Sequence, residues 1–283
     1  MLSKVLSRRR MMASLAGAAA LPAFAKFGGV EIGVCGGAGD FKKAEQAGFD
    51  YYEPGAAAIA AMSQPDFDDF RKLVRDSRIR CSSVNSLIRT LKIVGPEGNL
   101  AAVKNYLNST LDRCRELGTT IAVWGSASSR NVPEGFSREE ATRQIVTFLR
   151  AAGDIAKDRG MVLAIEPLQK SESNIINSGA ESLQFIREAA HPAVKTIIDY
   201  YHMRRENEDP QIVVTGRDQI VHFHFADPEG RKWPKSPEED PVYARFFELV
   251  KQIKFRGGIS IEGSGSVDKD GAAGLEFFKR ELT

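Results

Sequence analysis

Four residues in this chain have the types and spacing to do chemistry together: Glu166, Asp199, His224 and Glu262. Each comes at or near the end of a short apolar run. MVLAI (161–165) delivers Glu166, VKTIID (194–199) ends on Asp199, IVHFHFAD (220–227) carries His224, and GGISIE (257–262) ends on Glu262. The intervals between them are 33, 25 and 38 residues, each close to the roughly 30 residues of one βα unit. Three carboxylates and an imidazole at one point would carry about three negative charges, which do not sit together unpaired. One divalent cation resolves that conflict. The oxygen-rich set suits Mn2+ best, with Mg2+ or Co2+ as alternatives, and suits a thiolate-bound structural zinc poorly. Four protein ligands on a cation that favours about six leave positions for substrate oxygens, and a sugar with a carbonyl beside a hydroxyl fits them. The cation would polarise the carbonyl, acidify the neighbouring C–H and stabilise the enediolate. Glu166 and Glu262, arriving on different strands, could exchange a proton with opposite faces of the substrate. The expected reaction is isomerisation or epimerisation. The alternative is a metal-dependent lyase or hydratase, in which the same enolate of a keto-sugar or keto-glycoside expels a leaving group.

Positioning these side chains requires strands that end together. Alternate side chains of a strand share a face, so Val162, Ala164 and Glu166 should face a barrel interior while Leu163 and Ile165 pack under helices. Upstream the same alternation runs through strands at 30–35, 50–53, 81–87 and 120–125 and helices at 41–47, 65–78, 100–117 and 138–159. Ser137 with Glu140 three residues later reads as a capping box. Downstream, helices are expected at 180–190, after Pro210, at 241–253 and at 272–282. Eight βα units predict an α/β protein with a single parallel (β/α)8 TIM barrel over residues 26–283, with its chemistry at the C-terminal face of the strands. Glu53, ending the second strand, could reach the site or form a rim salt bridge. His222 shares the face of His224 one level deeper and reads as packed rather than ligating, and His191 reads as structural. Trp124 and Trp233 could stack on a sugar or simply pack.

Of 283 residues, 42% are hydrophobic and 27% charged, enough for a large core without cross-links. The net charge is +2, but Lys4, Arg8, Arg9 and Arg10 supply four positive charges in residues 1–25, which hold no acid; beyond them 35 basic residues face 37 acidic ones. That balance gives no electrostatic case for nucleic acid. Residues 1–25 read as a cleavable export signal, with basic residues before an Ala-rich run and Ala23-Phe24-Ala25 as the cleavage site. The run is too short for a stable membrane anchor, and Ser7 to Met12 resembles the twin-arginine signal. Export to a bacterial periplasm is the expectation. Cys35, Cys81 and Cys114 lack metal-type spacing and are expected to be buried, free and without a role.

These motifs together resemble the sugar phosphate isomerase/epimerase superfamily, the xylose isomerase-like TIM barrels. Glu166-Pro167-Leu168 followed by Glu172, Asn174 and Asn177, the Asp199-Tyr200-Tyr201-His202 run, His222-Phe223-His224 followed by Asp227 and Arg231, and Ile261-Glu262 carry the resemblance. It implies metal binding by Glu166, Asp199, His224 and Glu262, catalysis by Glu166 and Glu262, and substrate contacts from Glu172, His202 and Arg231. It also implies a tendency to form homo-oligomers. Gln169-Lys170-Ser171 and the short Gly/Ser-rich segment after Glu262 depart from the family pattern. Few basic residues surround the motifs, so an unphosphorylated sugar or keto-sugar is expected. The nuclease branch of the fold would need more metal ligands than the four histidines of this chain allow.

Overall fold

A computed structural model describes residues 27–283; the expected export segment lies outside them. Strand β1 (Glu31–Gly36) leads to α1 (Phe41–Ala47), β2 (Tyr51–Pro54) to α2 (Ala56–Ala61) and α3 (Gln64–Arg75), and β3 (Ser83–Val84) to α4 (Leu100–Glu116). β4 (Ile121–Trp124) precedes α5 (Ala127–Arg130) and α6 (Arg138–Lys157), and β5 (Val162–Ile165) precedes α7 (Gly179–Ala189). β6 (Val194–Asp199) runs directly into α8 (Tyr200–Arg205) and then α9 (Ile212–Thr215). β7 (Ile220–Phe225) with α10 (Tyr243–Gln252) and β8 (Gly258–Ile261) with α11 (Val267–Leu282) complete the set. The eight strands form one parallel sheet in the order β2-β1-β8-β7-β6-β5-β4-β3. Its two edges meet through Tyr52 N–H donating to Arg80 O at 2.9 Å, Asn85 N–H to Pro54 O at 3.2 Å, and a parallel bridge between Gly55 and Asn85. The result is a nearly closed (β/α)8 barrel.

Local chemistry explains the elements. Ser63, Asn99, Ser137 and Ser178 cap α3, α4, α6 and α7 by accepting from the amide three residues on, satisfying donors that a helix start leaves orphaned. Each long helix buries one stripe, as Val103, Leu107, Leu111 and Cys114 do on α4. Outward-facing Phe223 and Phe225 of β7 pack on Phe246 and Phe247 of α10 and Phe277 of α11, and each such ring contributes about 1.5–3 kcal/mol by burial. The expected alternation of β5 holds: Leu163 and Ile165 lie in this outer core, while Ala164 meets Val123 and Ile197 inside the barrel.

The third strand is shorter than the expected 81–87. Ser86 takes a φ of 48°, left-handed for a non-glycine residue, and breaks the extended chain after Asn85. Helices α2, α5 and α8 are additional to the expected set; four to six residues are too few to show a helical period. All three cysteines are free, Cys81 and Cys114 buried and Cys35 half-buried. Among the described residues no helix is long and apolar enough to cross a membrane.

Candidate metal centre

One rule brings the four chemistry-bearing residues together. Ala164, Ile197, His222 and Ser260 are buried inside the barrel, and Glu166, Asp199, His224 and Glu262 stand two residues further along the same strand directions, nearer the mouth. One candidate ligand atom from each lies within 4.8 Å of the other three. His224 Nδ1 is 2.9 Å from Glu166 Oε1 and 3.1 Å from Glu262 Oε2. Asp199 Oδ1 caps α8 by accepting from His202 N–H at 3.3 Å, and its Oδ2 is 3.4 Å from Arg231 Nη2. Glu262 Oε2 accepts from Arg231 Nη2 at 2.8 Å, and Oε1 accepts from Asn85 Nδ2 at 3.2 Å. Glu166 reaches its place because residue 125 is glycine: a Cβ there would stand 1.6 Å from Glu166 Oε2. The backbone carbonyl of Glu166 is held by Arg130 Nη2 at 2.8 Å, and Arg130 Nη1 holds the Trp124 carbonyl at 3.2 Å.

The electrostatics follow from crowding acids out of water. Burial, reinforced by Glu262 and Asp199, raises the Glu166 carboxyl above its ordinary range despite His224. Burial would also raise Glu262, but His224 and Arg231 outweigh it and hold that carboxyl low. His224 shows the reverse balance: burial disfavours its imidazolium, yet Glu53, Glu262 and Glu166 hold it well above the usual histidine value. The set therefore demands positive charge. A buried cluster of three carboxylates around one imidazole nitrogen, with an arginine on its outer edge, fits a hard or borderline divalent cation by donor type and charge.

The remaining predicted residues line the mouth. Arg231 takes a φ of 52°, and its guanidinium lies over the Tyr201 ring, 4.9 Å from the centroid, with Glu172 Oε1 3.6 Å from its Nη1. His202 is buried; its Nδ1 accepts from Gln169 N–H at 3.2 Å, and its Nε2 has no hydrogen-bond partner. Glu172, at the rim, accepts from Gln169 Nε2 at 2.8 Å. A cavity of about 330 Å³ adjoins Glu262, lined by small residues of the β1 to β3 ends and by Arg89.

Other expectations resolve by geometry. Glu53 is fully buried beneath His224 instead of forming a rim salt bridge. His222 packs one level below, as its spacing implied, and burial lowers its pKa. Trp124 and Trp233 are buried, donating to Ser129 Oγ and Gly263 O, and are core residues. His191 binds Asp154 and the Ala193 amide at a helix end. Asn85 and Arg130 escaped sequence reasoning. Asn85 carried one usable signal, a polar residue at a strand end; Arg130 carried none, since its role depends on burial. Desolvation lowers the Arg130 guanidinium to about 10.

Fold and site define a class: a (β/α)8 barrel with a carboxylate-rich candidate cation centre at the C-terminal mouth. Comparison with known proteins places it further. The chain belongs to the xylose isomerase-like TIM barrel family, whose sequence model matches residues 41–281. It is 27% identical over 226 residues to L-ribulose 3-epimerase of Methylomonas sp. (strain DH-1), covering 79% of this chain and 77% of that one. It is 30% identical over 145 residues to 3-dehydro-D-guloside 4-epimerase of Escherichia coli, covering 50% and 54% of the two chains. The structure of D-allulose 3-epimerase from Methylomonas sp. superposes with a TM-score of 0.77 at 22% identity, over 89% of this chain and 98% of that one.

Proposed function

We propose that this protein is a divalent-metal-dependent epimerase or isomerase of an unphosphorylated sugar or keto-sugar. The observation that carries the reading is the convergence of Glu166, Asp199, His224 and Glu262 within 4.8 Å at the barrel mouth. The sugar epimerases among its relatives supply the reaction class. The same four residues would hold the cation, Mn2+ by preference, and when bound it polarises the substrate carbonyl and adjacent hydroxyl.

The protein's own groups do the rest. One of Glu166 and Glu262 removes the proton from the carbon beside the carbonyl, and the other returns a proton to the opposite face. Arg231 sits against Glu262 and Asp199, where a guanidinium stabilises oxygen as charge develops on it. His202 Nε2, buried without a partner, can bond a sugar oxygen, and Glu172 can accept from a hydroxyl at the rim. The cavity beside Glu262 has room for the unreacting part of the sugar.

The test is solvent deuterium uptake. Protein stripped by chelator and reloaded with Mn2+ is incubated in D2O with free ketoses, aldoses and 3-keto-sugars. Metal-dependent uptake at the carbon beside the carbonyl, with the skeleton unchanged, is expected. Turnover with loss of water or release of an aglycone would replace epimerisation by the lyase alternative. We further propose export through residues 1–25, tested by recovery of processed protein in the periplasmic fraction of a bacterial host; retention of the full chain in the cytoplasm would overturn it.

A further inference from the structure

Beneath the carboxylate cluster lies a charged group that the proposed proton transfers do not use. Glu53, at the mouth end of β2, is completely enclosed, at 0% exposure. Its Oε2 accepts from Ser260 Oγ at 2.5 Å and Ser83 Oγ at 2.6 Å and lies 2.9 Å from His222 Nε2. Its Oε1 lies 2.9 Å from His224 Nε2. Tyr51 Oη, 2.8 Å from Ser260 Oγ, continues the network downward. Two hydroxyls donate to Glu53 Oε2, and ring nitrogens face both oxygens, a surround of donors that suits a carboxylate with no hydrogen of its own.

An ionised carboxylate can only accept, so every partner must bring the hydrogen. Both imidazoles therefore carry hydrogen on Nε2. For His224 this fixes the other nitrogen: Nδ1, the atom facing Glu166 and Glu262, is the one left to offer a lone pair. Three contacts on Oε2 hold Glu53 still, so that Oε1 aims at His224 alone. The six-residue β7 carries His224 and His222 two positions apart, and Glu53 clamps both rings from the barrel interior.

We infer that Glu53 is the positioning residue of the metal centre, fixing the tautomer and ring orientation by which His224 Nδ1 ligates the cation shared with Glu166, Asp199 and Glu262. The inference rests on reading that cluster as a metal site. Outer partners of metal-bound histidines are worth roughly 10- to 100-fold in metal affinity.

Two measurements on the whole chain test it. Long-range proton–nitrogen NMR of histidine-labelled, Mg2+-loaded protein reads the tautomer directly, and hydrogen on Nε2 of His224 with none on Nδ1 is expected. Calorimetric Mn2+ titration should show roughly 10- to 100-fold weaker binding for Glu53→Gln, and a smaller loss for Ser83→Ala, in which Ser260 and His222 still hold Oε2. Hydrogen on Nδ1 in the loaded wild type would overturn the inference while leaving the metal site intact. So would Glu53→Gln binding Mn2+ as tightly as wild type with the tautomer unchanged. If Glu53→Gln does not fold, the wild-type tautomer and the Ser83→Ala titration still decide. Wild type that binds none of Mn2+, Mg2+ and Co2+ would remove the metal reading itself, and this inference with it.

Discussion

The arc from β5 to β8 and the arc from β1 to β3 enclose the same mouth with opposite materials. The first supplies Glu166, Asp199, His224 and Glu262 from neighbouring strands joined by parallel ladders, with one register shift between Thr196 and Ile197 and with Asp199 registered directly against His224. The second ends in Gly36, Gly55, Ala57, Ala58 and Ser86 around a cavity of about 330 Å³, and its β2–β3 junction is closed by separate hydrogen bonds instead of a ladder. Groups that must hold a cation within tenths of an ångström belong on continuous strands. Groups that must leave room for a sugar can sit on short strands with small side chains. On the proposed reading, the acids and imidazole that act and the space for substrate come from different arcs, tied together by Glu53 of β2 beneath His224 and by Asn85 beside Glu262.

That contrast can be broken or sharpened by substitution. Glu262→Gln keeps an oxygen near the cation but removes a proton-transfer group, so deuterium uptake should fall by about 10²- to 10⁴-fold; activity close to wild type would detach catalysis from the β5–β8 arc. Removing the cation should abolish uptake as well, with a pH signature. His224 is held protonated well above the usual histidine value in the metal-free protein, and that imidazolium must deprotonate before Nδ1 can bind metal. Below the raised pKa, Mn2+ affinity should therefore drop by about tenfold for each unit of pH lost, as read by calorimetry between neutral pH and mild acid. The sign reverses for the metal-free protein: the His224 contribution to its stability is fully present below the ordinary histidine pKa and is lost as pH rises through the raised one.

A smaller effect is expected at Arg231. Removing its charge-assisted hydrogen bond to Glu262 with Arg231→Met should cost about 1.5–3 kcal/mol of transition-state stabilisation, or roughly 10- to 150-fold in kcat/KM, with Mn2+ binding retained. The smallest stability change belongs to the other arc. Ala58 is exposed and lines the cavity, so Ala58→Phe should shift stability by no more than about 0.5 kcal/mol. It should raise KM for bulkier keto-sugars while leaving metal binding unchanged. Equal losses for all sugars would mean that the β1–β3 arc does not accommodate substrate.

The β5–β8 arc was legible because strands have period two. An apolar run that ends in a carboxylate announces both the strand and what it delivers, and this is why Glu166, Asp199, His224 and Glu262 could be picked out and brought to one level. The other arc hid its role because small residues announce nothing: Gly36, Ala57 and Ser86 read equally well as loop. Glu53 stood at a strand end like the others, but whether a carboxylate faces the interior or the rim depends on the register of β1 against β2, which the sequence does not spell out. Arg130 was illegible for a stronger reason. Its partners are backbone carbonyls of Trp124 and Glu166, and every residue has a carbonyl.

Gly125 gives the centre a second kind of fragility. The Glu166 carboxylate occupies the volume that a methyl group at position 125 would fill, so adding one carbon to the neighbouring strand would displace the acid without altering it. The working parts of this centre thus include an omission as consequential as any side chain. A barrel of the same fold could lose the activity through a substitution that leaves every acid and imidazole in place.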